Sequence, residues 1–550
     1  MSLGPAAVFD PSGSIAGGRR VGHRAGTWVL AAFVGSLAIY AWGAAPTVLY
    51  RDSAELQAVA LTGGVAHSTG YPTFALVGWV FGKVLPGDPA RRINLMSSAF
   101  GAVSLALLVV VGVELGFAPV VAFAGAIVFG AGFSFWAGAL RAEVYTLAVA
   151  QFLVAYWRTL VALRTNRAWD AGLAAVLLGF TLTGHLASAP AVAVLGLSLA
   201  WRSLRRRRVL REWPVLLLGF TLGLTPYLHI PWTDTHRDSV NFLHHMDHVL
   251  FPETGVPTGA FASPWYRLEW LVTGRNEVPG AHLAVTAWNV LRTVVWWTPL
   301  VVLFELGPIA ALLAVPGFLA FRRDNPLEAH RVAVLVAASL AFTVSVTFGP
   351  LLPLFLVFAM GPVSLLVARG LERLLARGGT AARPWLVPLA AAAVMLVPHA
   401  IRLWSYAHPI GPHRWTVLDE DMSRPLPLLR RFDRPFEARD YGRGALRAIP
   451  HGAIVFGESI ELPILYYFCG ALGERTDLTL RPHTELSYPR AVRAWERTHD
   501  LAEHPVVFLT LPGSTRASLT SVDSLPVAPN RWIYLTRTPL GEAHADEAHP

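Results

Sequence analysis

Charged residues are scarce in this chain. They make up 15% of its 550 residues, whereas 54% of the residues are hydrophobic. A mean hydropathy of +0.46 excludes an ordinary soluble domain and is typical of a polytopic membrane protein. The net charge of +9 would suggest nucleic acid in a soluble protein. Here the arginines lie between apolar runs, as expected for cytoplasmic loops, so we expect no nucleic-acid partner.

Cysteine and the common cofactor motifs are also missing. Cys469 is the only cysteine, which excludes an internal disulfide bond. The sequence has no Walker loop, no GxGxxG turn, no zinc-type Cys/His spacing and no nucleophile elbow. The sequence therefore predicts no nucleotide-binding site and no particular cofactor. It does not decide whether a divalent metal ion is bound.

Long apolar runs are abundant, and eleven of them approach the roughly 20 residues that a helix needs to cross a bilayer. The first run is long for a signal-peptide core and lacks a small-x-small cleavage site, so we interpret it as a retained span. The predicted spans are 27–49, 93–114, 119–139, 143–162, 168–184, 186–201, 213–230, 298–321, 331–349, 351–369 and 385–404.

Arginine-rich loops predict the orientation of these spans. With the amino terminus inside, four basic loops all lie on the cytoplasmic side, as the positive-inside rule expects. They contain Arg164 and Arg167, Arg202 with Arg205 to Arg208, Arg322 with Arg323, and Arg369 with Arg373 and Arg377. We accordingly expect residues 51–92 to form one external loop with two interfacial helices, Ser53–Val65 and Thr73–Leu85.

The sequence divides into three parts. Residues 1–26 are predicted to be a disordered cytoplasmic tail, and residues 27–404 a mainly α-helical transmembrane domain that includes a large external loop at 232–290. Residues 405–550 lose the membrane composition and alternate β-type and helical runs, which predicts a small extracytoplasmic α/β domain. Its strands are expected at 453–456, 478–480, 505–511 and 532–536, with helices at 462–472 and 489–497.

Two carboxylates open the first external loop. Asp52 followed three residues later by Glu55 is typical of a capping box, with Asp52 as N-cap of the next helix. The functional alternative is that Asp52 serves as a general base just outside the membrane, where a helix amino terminus keeps it ionised. The two interpretations are compatible, because a capped helix is a rigid support for a base.

The turn that follows contains His67 and Tyr71. Gly70 permits unusual backbone angles there, and Pro72 predicts an extended Tyr71. The turn is either an ordinary connection between two helices or part of a site in which His67 and Tyr71 contact phosphate or sugar.

Further polar residues interrupt the apolar runs. Arg141 is either an interfacial anchor or a partner for a lipid phosphate, and Glu143 could orient it, bind a metal or act as a second carboxylate. His185 is either a polar turn residue or a site residue. Glu305, inside an apolar run, must face protein or water and receives no role.

Five motifs, in order, resemble a family of membrane proteins that includes a eukaryotic transmembrane protein O-mannosyltransferase and belongs with the GT-C glycosyltransferases. Two departures accompany the resemblance: Ser68 and Thr69 replace two prolines of the family pattern, and Gly184 replaces an asparagine. The five motifs are Asp52–Glu55, Ala66–Phe74, Arg92–Leu95, Ala142–Tyr145 and Leu182–Leu186.

The resemblance implies a GT-C-like enzyme that moves a sugar from a polyprenyl-phosphate donor to a protein or glycan acceptor at the extracytoplasmic face of the membrane. It places Asp52 as the base. We predict that Glu55 also belongs to the catalytic group and that the remaining candidates bind the donor phosphate: His67, Tyr71, Arg141, Glu143 and His185. The membrane is expected to be a bacterial inner membrane with the carboxyl-terminal domain in the periplasm. A secondary transporter and a non-catalytic membrane scaffold are the alternatives.

Overall fold

The structure is a computed structural model. It describes residues 23–165, 167–236, 239–243, 263–273, 291–346, 352–377, 383–407, 435–458, 460–482, 492, 495–510, 523–528 and 531–536. Most of the predicted 1–26 tail and of the 232–290 loop lies outside these residues, as does most of the helix expected at 489–497.

Helices dominate the first part of the chain, and several begin with proline at their first turn, where no backbone N–H is needed. Asp88 caps one of them by accepting a hydrogen bond from Arg91 N at 3.0 Å. The helices are α1 (His23–Gly43), α2 (Arg51–Thr62), α3 (Pro72–Val84), α4 (Pro89–Glu114), α5 (Pro119–Gly130), α6 (Phe133–Ala139), α7 (Val144–Arg164), α8 (Ala168–Leu182), α9 (Ala189–Arg205), α10 (Val209–Gly223), α11 (His229–His236) and α12 (Pro264–Val272).

The second half continues with long apolar helices and ends in a smaller domain. Short 3₁₀ turns precede α9 and α11, and π-helical turns occupy Thr293–Trp297 and Tyr466–Ala471. The remaining helices are α13 (Thr298–Glu305), α14 (Gly307–Asp324), α15 (Pro326–Val346), α16 (Leu352–Arg377), α17 (Leu386–Ala407), α18 (Glu437–Ala448) and α19 (Leu462–Leu465).

The chain is a multi-pass membrane protein. Among the described residues, seven helices are long and apolar enough to cross a membrane, and two helix pairs qualify as bent spans. The 15-residue apolar helix Ala168–Leu182 and the apolar part of α17, Leu386–Ile401, lie at two further predicted spans. Each of the eleven predicted spans thus has a helical counterpart.

Two predicted spans are broken rather than continuous. The segment expected as 119–139 is α5 and α6 at 79° to each other, and the one expected as 298–321 contains a 98° bend between α13 and α14. Glu305 lies at the second bend, and its carboxylate accepts hydrogen bonds from Ser134 N (3.0 Å) and Ser134 Oγ (2.7 Å) at the start of α6. The buried carboxyl group of Glu305 therefore connects the bend between α13 and α14 to the bend between α5 and α6.

The predicted α/β domain contains a five-stranded sheet. The strands are β1 (Ile454–Gly457), β2 (Thr479–Pro482), β3 (Val506–Phe508), β4 (Asp523–Ala528) and β5 (Arg531–Thr536), in the order β2-β1-β3-β5-β4. The central β1 is parallel to β2 and β3, whereas β5 and β4 add an antiparallel edge. The sequence analysis predicted neither β4 nor the amphipathic α18.

One hydrophobic core joins this domain to α2 and α3. Alternate residues of β1 face opposite sides of the sheet, so Ile454 and Phe456 share one core while Val455 lies in the other. The core around Val455 also contains Val59 of α2 and Phe74 of α3. The sheet domain therefore packs directly on the helices that carry the candidate site.

Candidate active site

Helix α2 carries the first two candidate residues. It begins at Arg51 with Tyr50 at the N-cap position, and no side chain caps it. The predicted N-cap role of Asp52 is therefore wrong: Asp52 lies inside the first turn, where its charge still interacts favourably with the helix amino terminus. Asp52 and Glu55 are three residues apart and share one face of the helix.

The turn at 67–71 folds differently from the prediction. Tyr71 has φ +39° and ψ +55°, a left-handed conformation, so its predicted extended backbone is wrong. Its hydroxyl donates a hydrogen bond to the carbonyl of Ser68, and this bond stabilises the compact turn. Gly70 has φ +82°, and a Cβ there would lie 2.6 Å from Ile230 Cδ1. Glycine is therefore required at this position for both reasons.

The turn places His67 next to Glu55 of helix α2. Glu55 accepts hydrogen bonds from His67 N (2.7 Å, Oε1) and pairs with His67 Nδ1 (3.0 Å, Oε2). Ligand atoms of Asp52, Glu55 and His67 all lie within 4.8 Å of one another, and Asp52 is the exposed member. Oxygen and imidazole nitrogen atoms so placed suit a divalent cation. Glu55 and His67 also satisfy each other without one.

A buried ion pair lies beside these groups. Arg141 Nη2 donates to Glu143 Oε1 at 2.8 Å, and both side chains are more than nine-tenths buried. Burial raises the pKa of Glu143; the positive charge of Arg141 opposes this rise, and the carboxylate of Asp52 adds to it. The pair is thus electrostatically coupled to the first-loop carboxylate.

His185 is held as a neutral ring. Its Nδ1 accepts a hydrogen bond from Ala187 N at 3.0 Å, which leaves Nε2 to carry the proton and act as a donor. Burial lowers the pKa of His185 to about 3. The ring stacks between Tyr71 (5.3 Å between centroids) and Tyr145 (4.7 Å), so the aromatic side chains hold its orientation.

The fold thus brings together the seven residues singled out from sequence, although they come from three separated parts of the chain. His67 contacts Tyr71 edge-to-face at 5.3 Å, and its charge also acts on Glu143 and His185. The result is an exposed carboxylate beside a buried cation, a neutral imidazole donor and aromatic faces. Such a set can accept a proton from a hydroxyl and stabilise negative charge.

Sequence reasoning gave no role to Asn94, which organises the site from α4. Its Oδ1 accepts hydrogen bonds from Gln57 Nε2 and Ala142 N, both at 2.8 Å, and its Nδ2 donates to Ala45 O at 2.9 Å. Ser97 Oγ accepts from Glu143 N at 3.2 Å. The available signal was the position of Asn94 inside the motif Arg92–Leu95, because a buried amide must find hydrogen-bond partners.

Known proteins resemble this chain in the segment that contains the candidate residues and in the fold. Residues 52–208 match the family described as the protein O-mannosyl-transferase TMEM260 N-terminal domain. Protein O-mannosyl-transferase TMEM260 of Mus musculus is 29% identical over 225 residues, which are 38% of this chain and 31% of the mouse protein. The protein of the same name from Dictyostelium discoideum is 36% identical over 75 residues, 13% of this chain and 9% of its own length. The chain thus spans less than a third of these curated relatives.

The solved structure of ArnT from Cupriavidus metallidurans in the apo state matches with a TM-score of 0.52 at 12% identity, covering 94% of this chain and 99% of ArnT. ArnT bound to undecaprenyl phosphate matches with a TM-score of 0.50 over the same shares. The expected GT-C fold is confirmed. The chain therefore has the fold of the GT-C glycosyltransferases, and its residues 52–208 are similar to the N-terminal domain of the TMEM260 O-mannosyl-transferases.

Proposed function

We propose that this protein is a membrane glycosyltransferase that moves a sugar from a polyprenyl-phosphate donor to a hydroxyl of a protein or glycan acceptor. The observation that carries the proposal is the exposed carboxylate of Asp52 beside the buried Arg141–Glu143 pair. All seven candidate residues lie within the segment that is similar to the O-mannosyl-transferases. A fold shared with an enzyme solved with undecaprenyl phosphate supports a lipid-phosphate donor.

In the proposed reaction, Asp52 accepts the proton of the acceptor hydroxyl while the oxygen attacks the anomeric carbon of the sugar. The bond from that carbon to the lipid phosphate oxygen breaks on the opposite face, so the configuration inverts. Glu143 uses one guanidinium nitrogen of Arg141, and the other donors of this planar group remain for phosphate. The positive charge of the buried Arg141 stabilises the negative charge that develops on the leaving lipid phosphate.

The other residues position these groups. Glu55 accepts a hydrogen bond from the backbone N–H of His67 and pairs with its ring Nδ1, so the pair supports the helix face from which Asp52 projects. His185 presents an Nε2–H donor that stays neutral at physiological pH and can bind a sugar or phosphate oxygen. Tyr71 adds an aromatic face, a surface on which sugar rings pack.

We place this reaction at the extracytoplasmic face of a bacterial inner membrane. The amino terminus is then cytoplasmic, and the sheet domain, which packs on α2 and α3, is periplasmic. This domain lies where an acceptor would approach Asp52, so it is placed to present the acceptor.

A secondary transporter is the second candidate, because two bent spans and a buried acidic residue occur together. The hydrogen bonds from Ser134 to Glu305 weigh against a transporter, since they give the Glu305 carboxylate a structural role: it connects the bend between α13 and α14 to the start of α6.

The test compares purified wild type and Asp52→Asn protein with a panel of polyprenyl-phosphate sugars, measuring sugar transferred or released. Loss of a general base lowers turnover about 10²–10⁴-fold, so the variant should be nearly inactive at unchanged thermal stability. Asp88→Asn is the control, because Asp88 is a carboxylate of the same segment that caps α4.

Equal turnover by wild type and Asp52→Asn would exclude Asp52 as the base. If no donor is consumed while vesicles containing the protein accumulate a solute, the transporter is the better description.

A further inference from the structure

The start of helix α2 is strained and is completed by the sheet domain. Arg51 has φ +54°, a left-handed conformation that is strained for a non-glycine residue and persists only where the surroundings impose it. Its N–H donates to the carbonyl of Ile460 at 3.2 Å. Because no side chain caps α2, a backbone carbonyl from the sheet domain replaces the missing cap one residue before Asp52.

The segment that supplies this carbonyl is held by a charged cluster at the seam between the two parts. Arg531, the first residue of β5, lies 3.7 Å from Glu461 (Nη1 to Oε1) and 3.6 Å from Glu437 of α18 (Nη2 to Oε1). Its guanidinium carbon also lies 5.6 Å from the ring centroid of Tyr50, the residue before α2. Arg531 therefore connects the sheet, α18 and the entry to α2.

Burial makes this cluster sensitive to the charge of Arg531. Glu461 is 3% exposed, and its Oε2 has no hydrogen-bond partner among the described residues. Burial raises the pKa of Glu461 to about 7, and Arg531 exerts the largest opposing effect. The ring of Tyr50 packs 6.3 Å from the ring of Tyr441 of α18, so an aromatic contact also joins α18 to the entry to α2.

We infer that Arg531 and Glu461 are positioning residues for Asp52: they keep the Ile460 carbonyl on the first turn of α2 and so set the orientation of the proposed base. This inference rests on the proposed function. The inference also gives the sheet domain a role in catalysis that is separate from any contact with the acceptor, because the domain holds the first turn of α2, on which Asp52 lies.

The first measurement is independent of activity. Hydrogen exchange of the backbone amides of residues 51–55 in the full-length protein should accelerate about tenfold in Arg531→Gln, because the opening of this turn becomes easier. Exchange in β1 should not change. Arg439→Gln is the matched control, since Arg439 is an exposed arginine of the same domain that pairs with its neighbour Asp440.

The second measurement is steady-state kinetics with the donor that wild type consumes. Arg531→Gln and Glu461→Gln should each lower kcat about tenfold with KM for the donor nearly unchanged, because a displaced base slows chemistry without removing a donor contact. Arg531→Lys should recover most of kcat. A structural defect alone would reduce the amount of active enzyme and leave kcat per folded molecule at the wild-type value in both glutamine variants.

Unchanged exchange at 51–55 in both glutamine variants would overturn the inference, even if Asp52→Asn is inactive. Full kcat in both variants would overturn it as well. If wild type consumes no donor, the proposed function fails, and the exchange result still decides whether the sheet domain holds α2. Should Arg531→Gln fail to fold, Glu461→Gln provides both measurements.

Discussion

Two regions of the membrane domain are held together in different ways. In the first region, which comprises α2, α4 and the segment before α7, buried polar side chains bond to one another and to the backbone, as Gln57, Asn94 and Ser97 do. In the second region, α14 and α16 cross at glycines. A Cβ on Gly317 would lie 1.8 Å from Leu366 O, and one on Gly370 would lie 2.1 Å from Leu313 O.

This difference predicts where a substitution affects function. A buried polar group requires its partner, so each residue of the first region depends on others, and this region lies within the segment similar to the O-mannosyl-transferases. A glycine crossing depends only on the absence of a side chain, which lets two backbones approach. Substitutions should therefore affect chemistry in the first region and stability alone in the second.

The largest effect is expected from breaking the Arg141–Glu143 pair. Arg141→Ala leaves Glu143 buried without its counter-ion, which should destabilise the protein by about 3–5 kcal/mol. The double variant Arg141→Met/Glu143→Leu removes both charges and should regain most of that stability while remaining inactive. Thermal unfolding in detergent and donor turnover measure the two properties. An active double variant would show that the first region does not differ from the second.

A smaller effect is expected at the glycine crossing. Gly317→Ala introduces a methyl group against a backbone oxygen, so overpacking should cost about 1–3 kcal/mol. Turnover per folded molecule should stay close to that of wild type. Gly196→Ala in α9 is the control, because nothing lies within 4 Å of its Cβ position, and it should stabilise by about 0.5–1 kcal/mol. A large loss of kcat in Gly317→Ala would contradict the proposed division.

The smallest effect is a pH dependence from His185. Its folded pKa of about 3 lies below the usual 6.5, so the unfolded chain binds a proton that the folded protein excludes. This contribution is therefore present above pH 6.5 and is lost as pH falls, by about 2 kcal/mol at pH 5. Thermal unfolding of His185→Gln should show a flatter dependence from pH 7 to 5. His330 of α15 is exposed, and the stability of His330→Gln should depend on pH as that of wild type does. An equal dependence on pH in both variants would refute the assignment of this effect to His185.

Sequence patterns located the apolar segments well because a bilayer imposes length and composition on each helix separately. They did not reveal the bends after Gly130 and at Glu305, since a broken span has the same composition as a straight one. The capping prediction for Asp52 failed because the sheet domain caps α2 at Arg51 from more than 400 residues away in the chain. Tyr71 departs from the conformation preferred before proline because its side chain bonds within the turn.

The amino-acid sequence by itself determined that this is a multi-pass helical membrane protein with an appended α/β domain, and it marked the residues whose chemistry stands out against an apolar background. Those properties depend on local composition and periodicity. Only the tertiary structure decided that Asp52 is the exposed member of its group, that His185 is neutral, and that Arg531 reaches the entry to α2. These properties depend on burial and on contacts between distant segments, which no local pattern records.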